Sequence, residues 1–197
     1  MRKSLPNSFE HADVEKKWIQ HWKDTDIYRW QKGVGNDFVI DTPPPTVSGS
    51  LHIGHVFSYT QTDVMARYQR MNGKNVFYPM GWDDNGLPTE RRVQNLYGII
   101  CDPHLPYDPA FVPVLVTDPK VPKKPVSRRN FMETCFQQTQ EDEKNYESLW
   151  RHLGLSIDWK EQYATIDPHC RRVSQLSFLD LAQKNFVYSG ESPTLWD

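Results

Sequence analysis

Apolar runs and apolar residues at helical spacing alternate along the chain, and this alternation predicts an α/β protein. The run 38–40 is apolar and precedes three prolines, which is typical of a buried strand that ends abruptly. From Leu51 to Gly73 the pattern is helical, and glycine is a common helix stop. The helical stripe contains Ile53, Phe57, Val64, Tyr68 and Met71. A second apolar run at 75–78 completes a βαβ unit, which implies parallel strands and a right-handed crossover.

Other segments predict further helices and one irregular region. A tryptophan-rich helix is expected over 7–30, with Asn7 or Ser8 as its cap and its aromatic side chains in the core. The stretch 101–129 contains seven of the fifteen prolines, and we interpret it as a surface excursion with little regular structure. The remaining helices are expected from Pro88 or Thr89 to Leu96, from 130 to 152, and from 168 to 185 with Asp167 as cap.

Composition narrows the function classes without selecting one. The chain has 197 residues, a formal net charge of −2, 38% hydrophobic and 24% charged residues, which is typical of a folded protein and excludes a histone-like basic binder. No apolar run is long enough to span a membrane, and no apolar stretch follows the early basic residues. We therefore expect a cytosolic protein without a secretory signal.

The three cysteines, Cys101, Cys135 and Cys170, do not include a CxxC pair. An odd number at wide spacing predicts free thiols in a reducing compartment rather than a disulfide framework. His104 lies near Cys101 and His169 is adjacent to Cys170, so a metal site is conceivable, but the spacing does not require one.

The segment from Pro43 to His55 carries the most specific chemistry. A strand ends, three prolines and a small-residue turn follow, and a helix begins. The unpaired amides and positive dipole end of a helix start attract anions. His52 and His55 are three residues apart, so they share one face of the first turn and can donate hydrogen bonds to a polyphosphate. Zinc pairs on helices are usually four apart with a nearby acid, so the spacing favours a phosphate site.

Three ordered blocks resemble the class I aminoacyl-tRNA synthetases. His52-Ile53-Gly54-His55 is similar to the signature of that family, and residues 81–90 and 153–159 resemble two segments of its valyl, leucyl and isoleucyl branch. The resemblance covers most of residues 7–197. It implies an α/β fold, namely the first half of a Rossmann-like catalytic domain with a parallel βαβ unit, extra helices and a proline-rich excursion.

Within this branch, the turn at 43–49 is similar to the valyl form, in which three prolines precede Asn-Val-Thr-Gly. Thr46 stands where Asn is usual, and Ser48 stands where Thr is usual. The block at 81–90 resembles a less common valyl form that contains Asp-Asp-Asn-Gly. The resemblance therefore implies valine as the amino acid.

The resemblance also implies an ATP site. The two histidines would act catalytically at the phosphates, with Gly54 under the adenine and Thr46 reaching the nucleotide by a shorter arm than Asn. The implied ATP-binding residues are Pro45, Thr46, Gly49, Ser50, His52, Gly54 and His55.

The amino-acid site that the resemblance implies lies next to the ATP site. Pro43 and Pro44 would form a wall against the branched side chain of valine. Asp83 would pair with the substrate ammonium by a charge-assisted contact, and Asp84 is the alternative for that role.

The activity implied by the resemblance is that of a ligase that activates valine with ATP and Mg²⁺ and transfers it to tRNA(Val). No tightly bound metal is predicted, and the parent chain is expected to be monomeric. We divide the chain into an N-terminal helical segment (1–36), the half catalytic domain (37–191) and the start of a junction (192–197) to an inserted editing domain. That domain, the Lys-Met-Ser-Lys-Ser loop and the anticodon-binding helices would lie outside the chain, so the fragment alone is expected to be inactive.

Three alternatives stay open. An isoleucyl or leucyl synthetase would share the reaction and differ in the pocket. A non-catalytic paralogue would keep the nucleotide-binding fold without turnover. A nucleotidylyltransferase has a similar histidine signature, although the block at 81–90 does not suit that smaller fold.

Overall fold

The computed structural model describes residues 8–49, 51–84 and 86–193, and within them the chain alternates helices with short strands. The strands pair in parallel, β1 with β2, β3 with β6 and β4 with β5. The elements are α1 (His11–Thr25), β1 (Asp37–Val39), α2 (Ile53–Met71), β2 (Asn75–Phe77), β3 (Gly81–Trp82), α3 (Leu87–Tyr97), β4 (Ile99–Asp102), β5 (Lys124–Ser127), α4 (Arg128–His152), β6 (Tyr163–Ala164) and α5 (Pro168–Gln183). The predicted α/β class is confirmed.

The βαβ unit predicted at the start of the chain is present as β1, α2 and β2. Phe38 lies opposite Val76 in the parallel register, and the Ile40 amide donates to the Phe77 carbonyl at 2.9 Å. The carboxyl end of β1 runs directly into the proline turn. In parallel α/β sheets this end of the strand is where ligands bind, so the fold places the turn at the expected position.

The main core lies between α2, α4 and the strands. Trp150 of α4 is fully buried and stacks on Tyr59 of α2, with ring centroids 4.9 Å apart. A smaller second core joins α3 and α4 to β4 and β5. The main core contains Ile40, Val47, Tyr59, Ala66, Val76, Tyr78, Met80, Trp82, Tyr146, Trp150, Leu155, Ile157 and Ala164.

The apolar stripe of α2 is the face that the described chain leaves exposed, contrary to the usual meaning of such a pattern. Ile53 is 80% exposed and Met71 is 79% exposed. The buried face carries Asp63, which accepts hydrogen bonds from the Ser156 amide at 2.6 Å and from Arg67 Nε at 2.7 Å. Because these polar partners satisfy the buried carboxylate, α2 packs with a partly polar face inward.

The N-terminal helix is shorter than predicted. α1 spans His11–Thr25 and follows Glu10, which makes no side-chain cap, and it ends at Asp26 in the left-handed region. Asn7 lies outside the described residues. Trp18 is 44% exposed, so the prediction that it belongs to the core is wrong, whereas the half-buried Trp22 contacts Tyr28.

The proline-rich excursion contains more regular structure than predicted. β4 and β5 lie at its two ends and pair in parallel, with Ile99 opposite Lys124. α4 begins at Arg128, two residues before the predicted start, and the Ser127 hydroxyl caps it by accepting from the Asn130 amide at 3.2 Å. Asp167 precedes α5 as predicted, but its carboxylate accepts from the Ala164 amide instead of capping the helix.

The described helices and thiols add two plain findings. No helix among the described residues has the length and apolar character needed to cross a membrane. The three cysteines are free thiols and are half-buried.

Candidate functional site

A cleft of about 530 Å³ opens where β1 ends and α2 begins. It brings together five residues predicted from the sequence: Pro43, Pro45, His52, Gly54 and His55. Its other lining residues are Thr42, Ser58, Tyr59 and Thr62, which sequence reasoning missed. The three on α2 follow His55 at intervals of three, four and seven, so helical spacing was the signal that pointed to them.

The two histidines form the first turn of α2 and act on its backbone. Nδ1 of His52 accepts from the Gly54 amide at 3.2 Å, and Nδ1 of His55 accepts from the His52 amide at 3.4 Å. Each ring therefore has its Nε2–H available as a donor. Burial, and to a lesser extent the neighbouring His52, lowers the pKa of His55 and favours its neutral form. The pair is therefore a double hydrogen-bond donor beside a helix N-terminus.

Gly54 allows the His52 ring to fold back over the helix start. A Cβ at position 54 would lie 3.0 Å from two atoms of that ring. The glycine is thus needed for the cap itself, and its contact with an adenine stays a prediction.

Two tyrosine hydroxyls hold the turn that precedes the histidines. Tyr59 donates to the Pro43 carbonyl at 2.8 Å, and the Tyr146 hydroxyl lies 3.0 Å from the Gly49 carbonyl and 3.2 Å from that of Thr46. Tyr146 lies on α4 and is not among the site residues expected from the sequence. It reaches the turn from 97 and 100 residues away, so no local pattern indicated this contact.

The predicted amino-acid-binding residues surround this turn unevenly. Pro43 is exposed at the cleft, Pro44 is half-buried and Pro45 is buried. Asp83 is half-buried and lies opposite Thr46 in a parallel bridge, so the cleft and the acid are neighbours. Ser50, the remaining predicted residue, lies outside the described residues.

Asp84 differs from Asp83 in its surroundings. It is 4% exposed, and neither of its carboxylate oxygens accepts from an N–H or hydroxyl of the described chain. Its neighbour is the carboxyl group of Glu143 on α4. Burial raises the pKa of Asp84, and burial together with the charge of Asp84 raises the pKa of Glu143 to about 8. We therefore expect the two groups to share one proton at neutral pH.

The shared proton predicts that the stability of the folded protein depends on pH. A carboxyl group with a raised folded-state pKa stabilises the fold below its unfolded pKa and loses that contribution as pH rises through the folded value. The pKa of Glu143 is raised from an ordinary value of 4.5, so its contribution to the stability of the fold falls between about pH 4.5 and 8. Other carboxylates near it, Asp167 and Glu147, act in the same direction. We expect Glu143→Gln to raise the melting temperature increasingly over that interval, with no further gain above it.

The measurement is the thermal unfolding of the complete protein at each pH, wild type against variant. Glu141→Gln is the matched control, because Glu141 is an exposed residue of α4 that pairs with Lys144. The Asp83, Asp142 and Asp167 carboxylates, which face Asp84, are unchanged in both variants. A Glu143→Gln difference that does not depend on pH would contradict the shared proton.

Resident metal binding finds no support in the described part of the chain. No group of three or more His, Cys, Asp or Glu side chains there is arranged to hold a metal ion.

The chain matches one family model and is similar to several known proteins. The family model described as tRNA synthetases class I (I, L, M and V) matches residues 17–103 and 113–197. The chain is 60% identical to the valine–tRNA ligase of Thermobifida fusca, 57% to that of Salinispora arenicola and 56% to that of Cutibacterium acnes, each over 98% of its length. It spans 22% of the length of these relatives.

A solved structure resembles the fold over nearly the whole chain. It is the ternary complex of Agrobacterium radiobacter agnB2 LeuRS with tRNA and LeuAMS. The TM-score is 0.65 and the identity 28%, over 92% of this chain and 19% of the other.

Proposed function

The chain belongs to the class I tRNA synthetases, the family of the I, L, M and V members, and from this premise we propose that it provides the ATP and amino-acid sites of a valine–tRNA ligase. One observation carries the proposal. The proline turn leads directly into the two imidazoles at the start of α2, and Thr46 of the same turn donates its hydroxyl to the Asp83 carboxylate. The valine–tRNA ligases with which the chain shares 54–60% identity support valine as the amino acid.

In the proposed first step, a carboxylate oxygen of valine attacks the α-phosphorus of ATP. An oxygen–phosphorus bond forms, the bond to the β-phosphate oxygen breaks, and pyrophosphate leaves. Because the carboxylate is already a nucleophile, positioning and charge stabilisation do the catalysis. Nε2–H of His52 and of His55 donate to phosphate oxygens as their charge grows. ATP enters as its magnesium complex, as part of the substrate.

In the proposed second step, a hydroxyl of the terminal ribose of tRNA(Val) attacks the carbonyl carbon of the adenylate, and AMP leaves. The proline wall can exclude a larger side chain by collision. It cannot strongly reject threonine, because exchanging a methyl for a hydroxyl is discriminated only about 10²-fold. We therefore propose that the complete protein also removes mischarged threonine, by an editing activity located outside this chain.

We propose that the complete protein is a cytoplasmic monomer. We also propose that this chain consists of a helical segment (1–36), half of the catalytic domain (37–191) and the start of a junction (192–197). We further propose that the isolated chain does not catalyse adenylate formation. This is supported by its length, which is 22% of that of the valine–tRNA ligase of Thermobifida fusca.

The test is ATP–pyrophosphate exchange by the complete protein, with valine, isoleucine, leucine and threonine in parallel. We expect the highest kcat/KM with valine and a value for threonine about 10²-fold lower. A preference for isoleucine or leucine would overturn the choice of amino acid. Absence of exchange with all four would overturn the enzymatic proposal in favour of a non-catalytic paralogue.

A further inference from the structure

The carboxylate of Asp83 is held by hydroxyls from two other segments of the chain. Thr46 Oγ1 donates to Oδ2 at 3.1 Å, and Thr165 Oγ1 lies 3.4 Å from Oδ1. Thr46 belongs to the proline turn, and Thr165 directly follows β6. Three segments that are far apart in sequence thus meet at one acid.

Backbone hydrogen bonds join these segments, and the Thr165 hydroxyl in addition accepts from the Asp84 amide at 3.3 Å. The Asp83 amide donates to the Pro45 carbonyl at 2.9 Å, and the Val47 amide donates to the Asp83 carbonyl at 3.3 Å. The Thr165 amide donates to the Trp82 carbonyl at 2.9 Å. Because these bonds fix the Cα positions, removing the Thr46 hydroxyl changes the orientation of the carboxylate rather than the path of the chain.

Two donors on different oxygens limit the rotation of a carboxylate. Thr46 contacts Oδ2 and Thr165 contacts Oδ1, so rotation of the carboxylate about the Cβ–Cγ bond would break both contacts. An ammonium group offers three donors and a positive charge, and a pre-oriented carboxylate binds it with less loss of side-chain freedom.

We propose that Thr46 and Thr165 are positioning residues that orient Asp83 toward the α-ammonium group of the amino-acid substrate. This inference rests on the proposed function and adds a role for two residues on the amino-acid side. It also changes the role of Thr46, which the sequence assigned to the nucleotide. In the structure the Thr46 hydroxyl is directed to Asp83.

The two roles of Thr46 predict that different substrates bind more weakly when its hydroxyl is removed. Thr46→Val keeps the shape and removes the hydroxyl. If Thr46 orients Asp83, the KM for valine rises about tenfold while the KM for ATP changes less than twofold, since a hydrogen bond to a charged group is lost. If Thr46 contacts the nucleotide, the KM for ATP rises instead.

The experiment measures both KM values by ATP–pyrophosphate exchange in the complete protein, for Thr46→Val, Thr46→Ser, Thr165→Val and Thr165→Ser. Serine keeps the hydroxyl, so each serine variant should restore the KM for valine to within about twofold of wild type. Thr60→Val is the matched control, because Thr60 is an exposed residue of α2 outside the cleft. An increased KM for ATP, unchanged KM values, or a failure of serine to rescue would overturn the inference.

A binding measurement separates this inference from the proposed function. Valinol has the ammonium without the carboxylate, and isovalerate has the carboxylate without the ammonium. By calorimetry we expect Thr46→Val to weaken valinol about tenfold and to leave isovalerate unchanged. If the wild type shows no exchange, the proposed function fails, and the inference still stands or falls on valinol. Equal valinol affinity in wild type and Thr46→Val, or no valinol binding by either, would overturn it.

Discussion

Asp83→Asn is expected to lower kcat/KM for valine in ATP–pyrophosphate exchange by about 10²-fold or more. Removing one partner of a hydrogen-bonded charge pair costs about 2–5 kcal/mol, and 1.4 kcal/mol is a factor of ten. The amide has nearly the same shape as the carboxylate, so the bonds of the Asp83 backbone to Pro45 and Val47 are retained. Its NH2 group would replace one of the two oxygens and would face the hydroxyl of either Thr46 or Thr165, which now donate to the carboxylate.

Asp84→Asn is the matched control for that experiment. Asp84 is buried beside Glu143, and the shared proton leaves the pair with one negative charge. Asparagine is neutral, and with Glu143 ionised the pair would still carry one negative charge. We therefore expect Asp84→Asn to lower kcat/KM for valine by less than about tenfold. A larger loss in Asp84→Asn than in Asp83→Asn would instead assign the ammonium to Asp84.

Arg92→Ala is expected to destabilise α4 by about 3 kcal/mol. Arg92 makes two bonds of 2.8 Å to the carboxylate of Asp142, which is 3% exposed. Breaking a buried pair from one side leaves an uncompensated charge and costs about 3–5 kcal/mol. The lower end applies because the Arg92 side chain is 35% exposed, so water can reach the vacated position. The effect matters for the site because α4 carries Glu143 and Tyr146.

Hydrogen exchange of α4 peptides in the complete protein measures this effect. A change of about 3 kcal/mol corresponds to exchange about 10²-fold faster. Arg91→Ala is the control, because Arg91 is the exposed neighbour on the same helix. Adding Asp142→Asn to Arg92→Ala removes the unpaired charge and should restore part of the protection. Equal protection in Arg92→Ala and Arg91→Ala would show that the pair does not hold α4.

The face of α2 shows where a sequence pattern misleads. The apolar stripe through Phe57 and Val64 indicates that a helix forms, and α2 does form. The direction of that helix in the fold depends on partners elsewhere. Asp63 turns inward because Ser156 and Arg67 satisfy its carboxylate. Arg67 is on α2 itself, but Ser156 lies 93 residues further along the chain, so the period of the helix alone does not reveal the buried face.

The pairing of β4 with β5 was hidden for a related reason. Each strand has four residues, and β5 includes Pro125, which lacks an amide donor. The seven prolines between 101 and 129 indicate irregular structure, and six of them do lie between the two strands. Only the approach of the two ends makes the parallel ladder favourable, since a strand this short is stable only with a partner.

The sequence by itself determined the βαβ unit, the start of α2 at the histidine pair and the proline turn before it. These features depend on residues close together in the chain, where spacing translates directly into geometry. The tertiary structure decided which acid is held by Thr46 and Thr165, which acid shares a proton with Glu143, and that Tyr146 supports the turn. These contacts join residues separated by 37 to 100 positions. Their formation depends on how helices and strands pack, and local propensity carries no information about that.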